Sequence, residues 1–453
     1  MDIIIVGLGN IGKLLASELS EENHNVTVVD VNEGLIDSTI ERFDVKGVCG
    51  SGTHCSVLEE ADVKSCDLFI AVTPLDENNI LACLIARRMG ARHTVARVRN
   101  PEYSAQVDFM RNELGVSMMI NPEYLAALDV FRTLQFPSAM NIETFSNGRI
   151  DMVGFKVREE SPLCDKRISE LNFSFIRDML ICAVSRGDEV YIPNGDFVIR
   201  KNDTVHITGS HKLLGKIVKE LSGKKKVKSA KTIMIIGGTG ISVYLAKMLI
   251  SAGKNVIIVE SNKNICKFLA AHCPKATVIW GDANDRDLLV EEGIENADAV
   301  VTLTDADETN FLVSMLAESF GVEKNITKIN NVKLIKMFDR IERASHISVP
   351  QNACSVISQY IRAKSNVNSS SMKTLYKLVD GEIEAIEFLV EDYVKFIGKP
   401  LSSVNLKNNT LIAAVNRGNK IFVPSGTDTI EKNDIVVVVS KSHQIYNLND
   451  ILL

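Results

Sequence analysis

Ile3-Ile4-Ile5-Val6-Gly7-Leu8-Gly9-Asn10-Ile11-Gly12 opens the chain. A run of β-branched residues of strand length leads into a glycine loop. Leu14, Leu15 and Leu19 then recur at helical spacing. The next apolar run, Val28-Val29, ends on Asp30. GxGxxG alone is a weak signal. Between a strand and a helix, with an acid closing the following strand, it is the fingerprint of a dinucleotide-binding βαβ unit. Gly7 permits the tight turn, Gly9 lets the backbone approach a pyrophosphate, and Gly12 lets the helix pack closely on the strand. The helix start offers free N–H groups and the positive end of the dipole to phosphate. Asp30 can accept from a ribose hydroxyl and would repel a 2′-phosphate, so NAD or an adenine nucleotide is expected rather than NADP.

Ligands of such sheets bind at the carboxyl ends of the strands. Gly50-Ser51-Gly52-Thr53 follows the third strand, Thr73-Pro74 follows the fourth, and Arg97 lies in the fifth. An arginine there can pair with a pyrophosphate bidentately or make an ordinary salt bridge.

The opening stretch recurs. At an offset of about 230, Ile233-Met234-Ile235-Ile236-Gly237 meets Ile3 to Gly7, and Ile258-Val259-Glu260 meets Val28 to Asp30. At 231, Asp307-Glu308-Thr309-Asn310 meets Asp76-Glu77-Asn78-Asn79, and Ile412 to Gly418 meets Ile181 to Gly187. The whole half is duplicated. Each half divides again into an alternating strand–helix region and a smaller region of short strands with turn signals such as Arg186-Gly187-Asp188 and Pro193-Asn194-Gly195. The expected architecture is α/β: two tandem Rossmann-like, doubly wound parallel-sheet domains, each followed by a small α+β module. The boundaries read as 1–121 for the first nucleotide unit, 122–140 for a crossover helix and 141–223 for the first module. A basic linker, 224–230, follows. The second unit is 231–348, its crossover helix 349–370 and its module 371–453.

The second loop departs from the pattern. It reads Gly237-Gly238-Thr239-Gly240-Ile241-Ser242, with Thr239 and Ser242 where the second and third glycines should stand. Glu260 keeps the ribose acceptor, Lys328 replaces Arg97, and Asp282 replaces Ser51. This site is expected to be weaker, to take a different nucleotide, or to be structural.

Composition limits the function. The chain has 453 residues, a net charge of -6, 6% aromatics and one tryptophan, which argues against a nucleic-acid binder. No apolar run approaches the length of a membrane-spanning helix, and no signal peptide is evident. The nine cysteines are scattered, so a reduced cytoplasm is expected. Cys266, His272 and Cys273 lack a fourth ligand and paired spacing, so no metal is expected. Arg186 and Arg417, Pro193 and Pro424, and Asp203 and Asp434 recur as turn and fold residues. No catalytic constellation accompanies the fingerprint, which points away from an enzyme and toward a sensor. An NAD-dependent oxidoreductase is the competing reading.

Taken together, the glycine loop, Asp30, Gly50-Ser51-Gly52-Thr53, Thr73, Asp76-Glu77-Asn78-Asn79 and Ala96-Arg97-Val98-Arg99-Asn100-Pro101-Glu102-Tyr103 resemble the domains that regulate potassium conductance (RCK, or KTN). Two such units in one chain resemble the peripheral NAD-binding subunit of bacterial Trk potassium uptake systems. The resemblance implies a cytoplasmic regulatory subunit at the inner face of the membrane. It would form a homo-oligomeric ring, four copies of this double unit, and gate a separate membrane-embedded potassium-translocating subunit. It implies NAD(H), with ATP or ADP as a further ligand. The implied contacts are Gly7, Leu8, Gly9, Asn10, Ile11, Asp30, Thr73, Pro74 and Arg97, and in the second half Gly237, Gly238, Thr239, Gly240, Ile241 and Glu260. The crossover helices near Pro122 and Pro350 would mediate subunit pairing. A regulator of potassium efflux or of another cation channel shares most of these features.

Overall fold

The computed structural model describes residues 1–100, 103, 109–110, 113–135, 141–145, 150–173, 175, 179–187, 189–221, 230–331, 344–365, 372–379, 382–418, 420–441, 445 and 447–453. Pro101, Glu102, Asp188 and the basic run Lys224 to Lys228 lie outside the described residues.

The first unit alternates strands and helices: β1 (Asp2–Val6), α1 (Asn10–Glu21), β2 (Asn25–Asp30), α2 (Glu33–Ile40), β3 (Lys46–Cys49), α3 (Cys55–Glu60), β4 (Leu68–Ala71), α4 (Asp76–Met89), β5 (His93–Arg97) and β6 (Met118–Ile120). The sheet order is β3-β2-β1-β4-β5-β6, all parallel. Alternation assigns β1 to two cores. Ile3 and Ile5 face α1, while Ile4 packs on the opposite side with Leu58, Cys83 and Ala86. Both faces are buried, which is why the strands read as continuous apolar runs.

Helix α5 (Pro122–Gln135) leads to an antiparallel module: β7 (Asn141–Phe145), β8 (Ile150–Lys156), β9 (Met179–Arg186), β10 (Glu189–Tyr191), β11 (Thr204–Ser210) and α6 (His211–Leu221), with sheet order β10-β9-β11-β8-β7. The second unit repeats the first as β12 (Thr232–Ile236), α7 (Gly240–Ser251), β13 (Asn255–Glu260), α8 (Lys263–His272), β14 (Thr277–Trp280), α9 (Arg286–Glu291), β15 (Ala299–Thr302), α10 (Asp307–Ser319), β16 (Lys324–Lys328) and β17 (Ala344–Ile347). Its sheet order, β14-β13-β12-β15-β16-β17, is that of the first. Helix α11 (Val349–Ser365) then precedes β18 (Met372–Leu378), β19 (Ile383–Leu389), β20 (Thr410–Arg417), β21 (Lys420–Phe422) and β22 (Ile435–Ser440), whose order β18-β19-β22-β20-β21 mirrors the first module.

The halves exchange their crossover helices. Ala126, Ala127, Val130 and Leu134 of α5 are buried in the core of the second unit, beside Ile241, Leu245 and Leu249 of α7. Reciprocally, Ala353, Cys354, Ile357 and Ile361 of α11 complete the core of the first unit against Leu15 and Leu19. Small residues at the contact let these helices approach closely. Each fully buried isoleucine stabilises the joint by about 2 kcal/mol. Polar pairs edge it: Asn352 Nδ2 donates to Asp129 Oδ2 at 3.2 Å, and Arg362 pairs with Glu22. Within this chain the two crossover helices join the halves to each other. The modules also join, with Met152, Cys182 and Ala183 packed on Ile383, Ala385, Ala413 and Val439.

The repeat offset is less uniform than the sequence match implies. Ile120 pairs with Arg97 and Ile347 with Lys328, an offset of 227, so the counterpart of Glu123 is Pro350. Pro122 and Pro350, the two helix-start prolines in the sequence, are not equivalent.

Candidate nucleotide sites

In the first half the glycine loop is built as its residue types require. Gly7 has φ +98 and donates to Val29 O at 2.9 Å, and a Cβ on it would lie 3.0 Å from Thr73 N. A Cβ on Gly12 would collide with Gly7 O, so only glycine allows α1 to start this close to the loop. Gly9 is different: nothing lies within 4 Å of where its Cβ would be. Gly9 also N-caps α1 with no side-chain cap, leaving the first N–H groups facing open space.

Asp30 braces this loop. Its Oδ2 accepts from Leu8 N at 2.6 Å and its Oδ1 from Asn32 N at 2.9 Å, leaving further lone pairs for a hydroxyl. Gly50 N donates to Asp30 O at 2.8 Å, and the Ser51 and Thr53 hydroxyls lie 2.8 Å apart beside it. Across the crevice, fully buried Asn79 ties two strand ends together. Its Oδ1 accepts from Thr73 N at 2.8 Å and Thr73 Oγ1 at 2.7 Å, and its Nδ2 donates to Arg97 O at 2.9 Å. Arg97 points its side chain toward Thr73, with Nη1 3.4 Å from Thr73 O, while its buried Nε has no hydrogen-bond partner. Burial, and after it the neighbouring Arg99, holds the Arg97 guanidinium below its usual value. Arg99 reaches Pro74 O at 2.5 Å and lies 3.7 Å from Asp76. A half-buried cation with an unpartnered N–H, opposite an uncapped helix start, suits an anion between them. The residues present fit a pyrophosphate.

The second site keeps the frame and changes its contents. Gly237 has φ +100, Gly238 N donates to Glu260 Oε2 at 2.6 Å, and Asn310 links Thr304 to Lys328 O at 3.0 Å as Asn79 does in the first half. Ser242 is accommodated by a new bond, its Oγ donating to Gly237 O at 2.5 Å. Lys328 is committed to Asp305 at 3.1 Å. Asp282 accepts from Asn284 N at 2.9 Å within its own turn. Thr239 N-caps α7 without a side-chain cap. The space before α7 is filled from the other half, since a Cβ on Gly240 would collide with Glu123 Oε2 of α5. That carboxyl group stands at the helix start, with Arg99 Nη1 4.0 Å from its Oε1. Burial raises its pKa, while Arg99 and Arg97 pull it back.

Two family models cover both halves: the TrkA-N domain matches residues 3–122 and 233–350, and the TrkA-C domain 152–222 and 385–453. The chain belongs to the TrkA family. It is 30% identical over 451 residues to a Trk system potassium uptake protein TrkA homolog of Archaeoglobus fulgidus, covering 100% of both chains. It is also 30% identical to Trk system potassium uptake protein TrkA of Vibrio alginolyticus, over 97% of this chain and 95% of that one. Among solved structures it resembles the RCK domain of GsuK, with TM-score 0.63 at 18% identity over 98% of this chain and 93% of that chain. The GsuK channel bound to NAD also gives TM-score 0.63 and 18% identity, over 98% of this chain and 77% of that chain.

For this TrkA-family chain, the crevice of the first half gathers Gly7, Leu8, Gly9, Asp30, Gly50, Thr73, Pro74 and Arg97 at the strand ends. Reading the sequence did not single out Asn79 as the link between Thr73 and Arg97, although Asp76 to Asn79 recurs in the repeat. It also missed Tyr244, whose hydroxyl reaches across from α7 to Arg99 O at 3.1 Å and receives Asn121 Nδ2 at 3.0 Å. Its counterpart is Leu14, so no repeat signal marked it. Glu123 was hidden for the same reason.

Proposed function

We propose that this chain is a nucleotide-sensing regulatory subunit of a potassium uptake system, which binds NAD(H) in its first half and controls a separate membrane-embedded translocating subunit. The observation that carries the proposal is the exchanged helix pair with an open glycine loop beneath it. Cys354 Sγ of α11 lies 3.6 Å from Ile11 O, two residues from Gly9. A dinucleotide that draws Arg97 toward α1 therefore acts on a helix belonging to the other half. Differential affinity for two arrangements of the halves is what converts binding into gating. The TrkA relatives are named as potassium uptake proteins, and GsuK has been solved with NAD and with ADP, which supports NAD(H) here with ATP or ADP as competing ligands.

Among the described residues no helix is long and apolar enough to cross a membrane. The proposal accordingly puts the subunit at the cytoplasmic face of the membrane through protein contacts, in a ring of four copies. Among the described residues of the crevice, Asp30 accepts two backbone N–H groups, and Asp76 accepts two on Oδ2 while Arg99 Nε lies 3.7 Å from its Oδ1, so both carboxylates brace the crevice. Deleting the gene should impair growth at low external potassium, and normal uptake in a strain without a paralogue would overturn the proposal. Sustained NADH turnover with a metabolite would favour an oxidoreductase instead.

A further inference from the structure

Trp280 is the sole tryptophan of the chain, and it is 62% exposed. It ends β14 and is the register partner of Glu260 on β13, at the carboxyl edge where ligands of such sheets bind. Its indole N–H donates to Ser261 O at 2.9 Å, and Lys263 Nζ lies 5.1 Å from the ring centroid. The ring is thus tethered at its one polar atom and on one side without being buried. In the first half the same place, opposite Asp30, is held by Cys49, whose Sγ lies 3.9 Å from Val31 O. The exchange of Cys49 for Trp280 adds a fixed aromatic surface to the ribose-acceptor end of one site only.

The phosphate end of that site has changed in the opposite sense. Glu123 holds a carboxylate against Gly240, Thr239 adds a Cβ where the first loop has Gly9, and Lys328 is spent on Asp305. A diphosphate would meet the Glu123 carboxyl at the helix start, and among the described residues of the second unit the lysine that replaces Arg97 is already paired with Asp305.

We propose that the second-half crevice binds a nucleoside or its monophosphate, with the base against Trp280 and the ribose diol on Glu260, and that Glu123 excludes longer 5′-phosphate chains. This rests on reading the second half as a nucleoside-type site and deepens the proposed function, because it makes the two sites answer to different ligands. An aromatic platform suits any base through its π-face. The carboxylate of Glu260 selects an unmodified ribose as Asp30 does.

The sole tryptophan supplies the measurement. In the full-length Gly9→Glu chain, which silences the first site, adenosine and AMP should quench Trp280 fluorescence saturably, with ADP at least about tenfold weaker. Adding Glu123→Gln should tighten ADP by about tenfold and leave adenosine unchanged. By calorimetry, Trp280→Ala should weaken AMP by about tenfold while Trp280→Phe retains it. Absence of a saturable response to adenosine and AMP at millimolar concentration would overturn the proposal. So would ADP binding more tightly than AMP both with Glu123 in place and after Glu123→Gln. NAD(H) binding to the chain with Gly9 intact, followed by calorimetry, reports on the first site separately. Its loss would sink the proposed function without touching Trp280, and its persistence in Trp280→Ala keeps the two readings distinct.

Discussion

The two nucleotide units share strand order, loop geometry and the asparagine that ties the fourth and fifth strands together, yet their crevices differ at each end. In the first, the helix start is uncapped and Gly9 faces open space, while Arg97 keeps a buried N–H without a partner. In the second, Glu123 occupies the helix start and Lys328 is paired with Asp305. Part of the difference arises outside the units themselves. Glu123 enters from α5, which belongs to the first half, whereas the equivalent position on α11 is Pro350, which carries no charge. Duplication supplied two equal frames, and substitutions within the second unit together with one unequal residue on an exchanged helix made them chemically distinct.

The comparison is broken most forcefully at the first loop. Gly9→Glu places a carboxylate at the start of α1, as Glu123 does for α7, and should weaken NAD(H) by at least about 100-fold in calorimetry, whereas Thr239→Glu should leave NAD(H) binding as it was. Equal affinity in both variants would mean that the first loop does not hold the pyrophosphate.

The modules provide the control, because there the halves agree. Arg186 Nε and Nη2 reach Asp203 at 2.8 Å each, and Arg417 reaches Asp434 at 2.9 and 2.8 Å. Each aspartate is buried and also accepts a backbone N–H. Asp203→Ala and Asp434→Ala should each cost about 2–4 kcal/mol, because an arginine and a backbone donor lose their acceptor. Chemical denaturation checks this, and a loss in only one module would show that the shared geometry does not carry equal weight.

A smaller effect is expected from trading loop residues. Gly12→Ser should destabilise the first unit by about 1–3 kcal/mol, since its Cβ meets Gly7 O, while Ser242→Gly should cost only about 1 kcal/mol for the lost bond to Gly237 O. Thermal melts that gave the two exchanges equal cost would show that the loops are interchangeable.

The mildest difference shows only in acid. His206 is buried in the first module opposite Gly154, and burial pushes its pKa down to about 4. Unfolding restores a value near 6.5, so the unfolded chain binds the extra proton. The stability that His206 contributes is complete above about pH 6.5 and is lost as pH falls toward 4. Val437 stands at this place in the second module, where Phe388 pairs with Val436 as Phe155 does with Val205. His206→Val should flatten the pH dependence of the melting temperature between pH 6.5 and 5. An unchanged slope would assign the acid sensitivity elsewhere.

Much of the first site was legible in the chain because its chemistry is local. Gly7, Gly9 and Gly12 sit within six residues, and Asp30 closes the next strand. Ser242 illustrates where local reading fell short. It occupies a glycine's place and reads as a defect, but its hydroxyl finds Gly237 O only once the loop is folded. The recurring Asp76 to Asn79 stretch announced importance without revealing that Asn79 buttresses Thr73 and Arg97.

The sequence by itself determined the duplication, the strand–helix alternation, the glycine loop and its acid, and the departures at Thr239, Ser242 and Lys328. The duplication follows from matching the chain to itself, and the rest from periodicity and residue type within windows of about a dozen residues. Only the tertiary structure decided that α5 and α11 cross to the opposite halves, that Glu123 rests on Gly240, and that Tyr244 reaches Arg99. Those contacts join residues more than a hundred positions apart, and their partners are not related by the repeat. The physical reason is that each crossover helix exposes an apolar stripe that its own half leaves uncovered, and burying both stripes at once carries their polar neighbours into the other half's site.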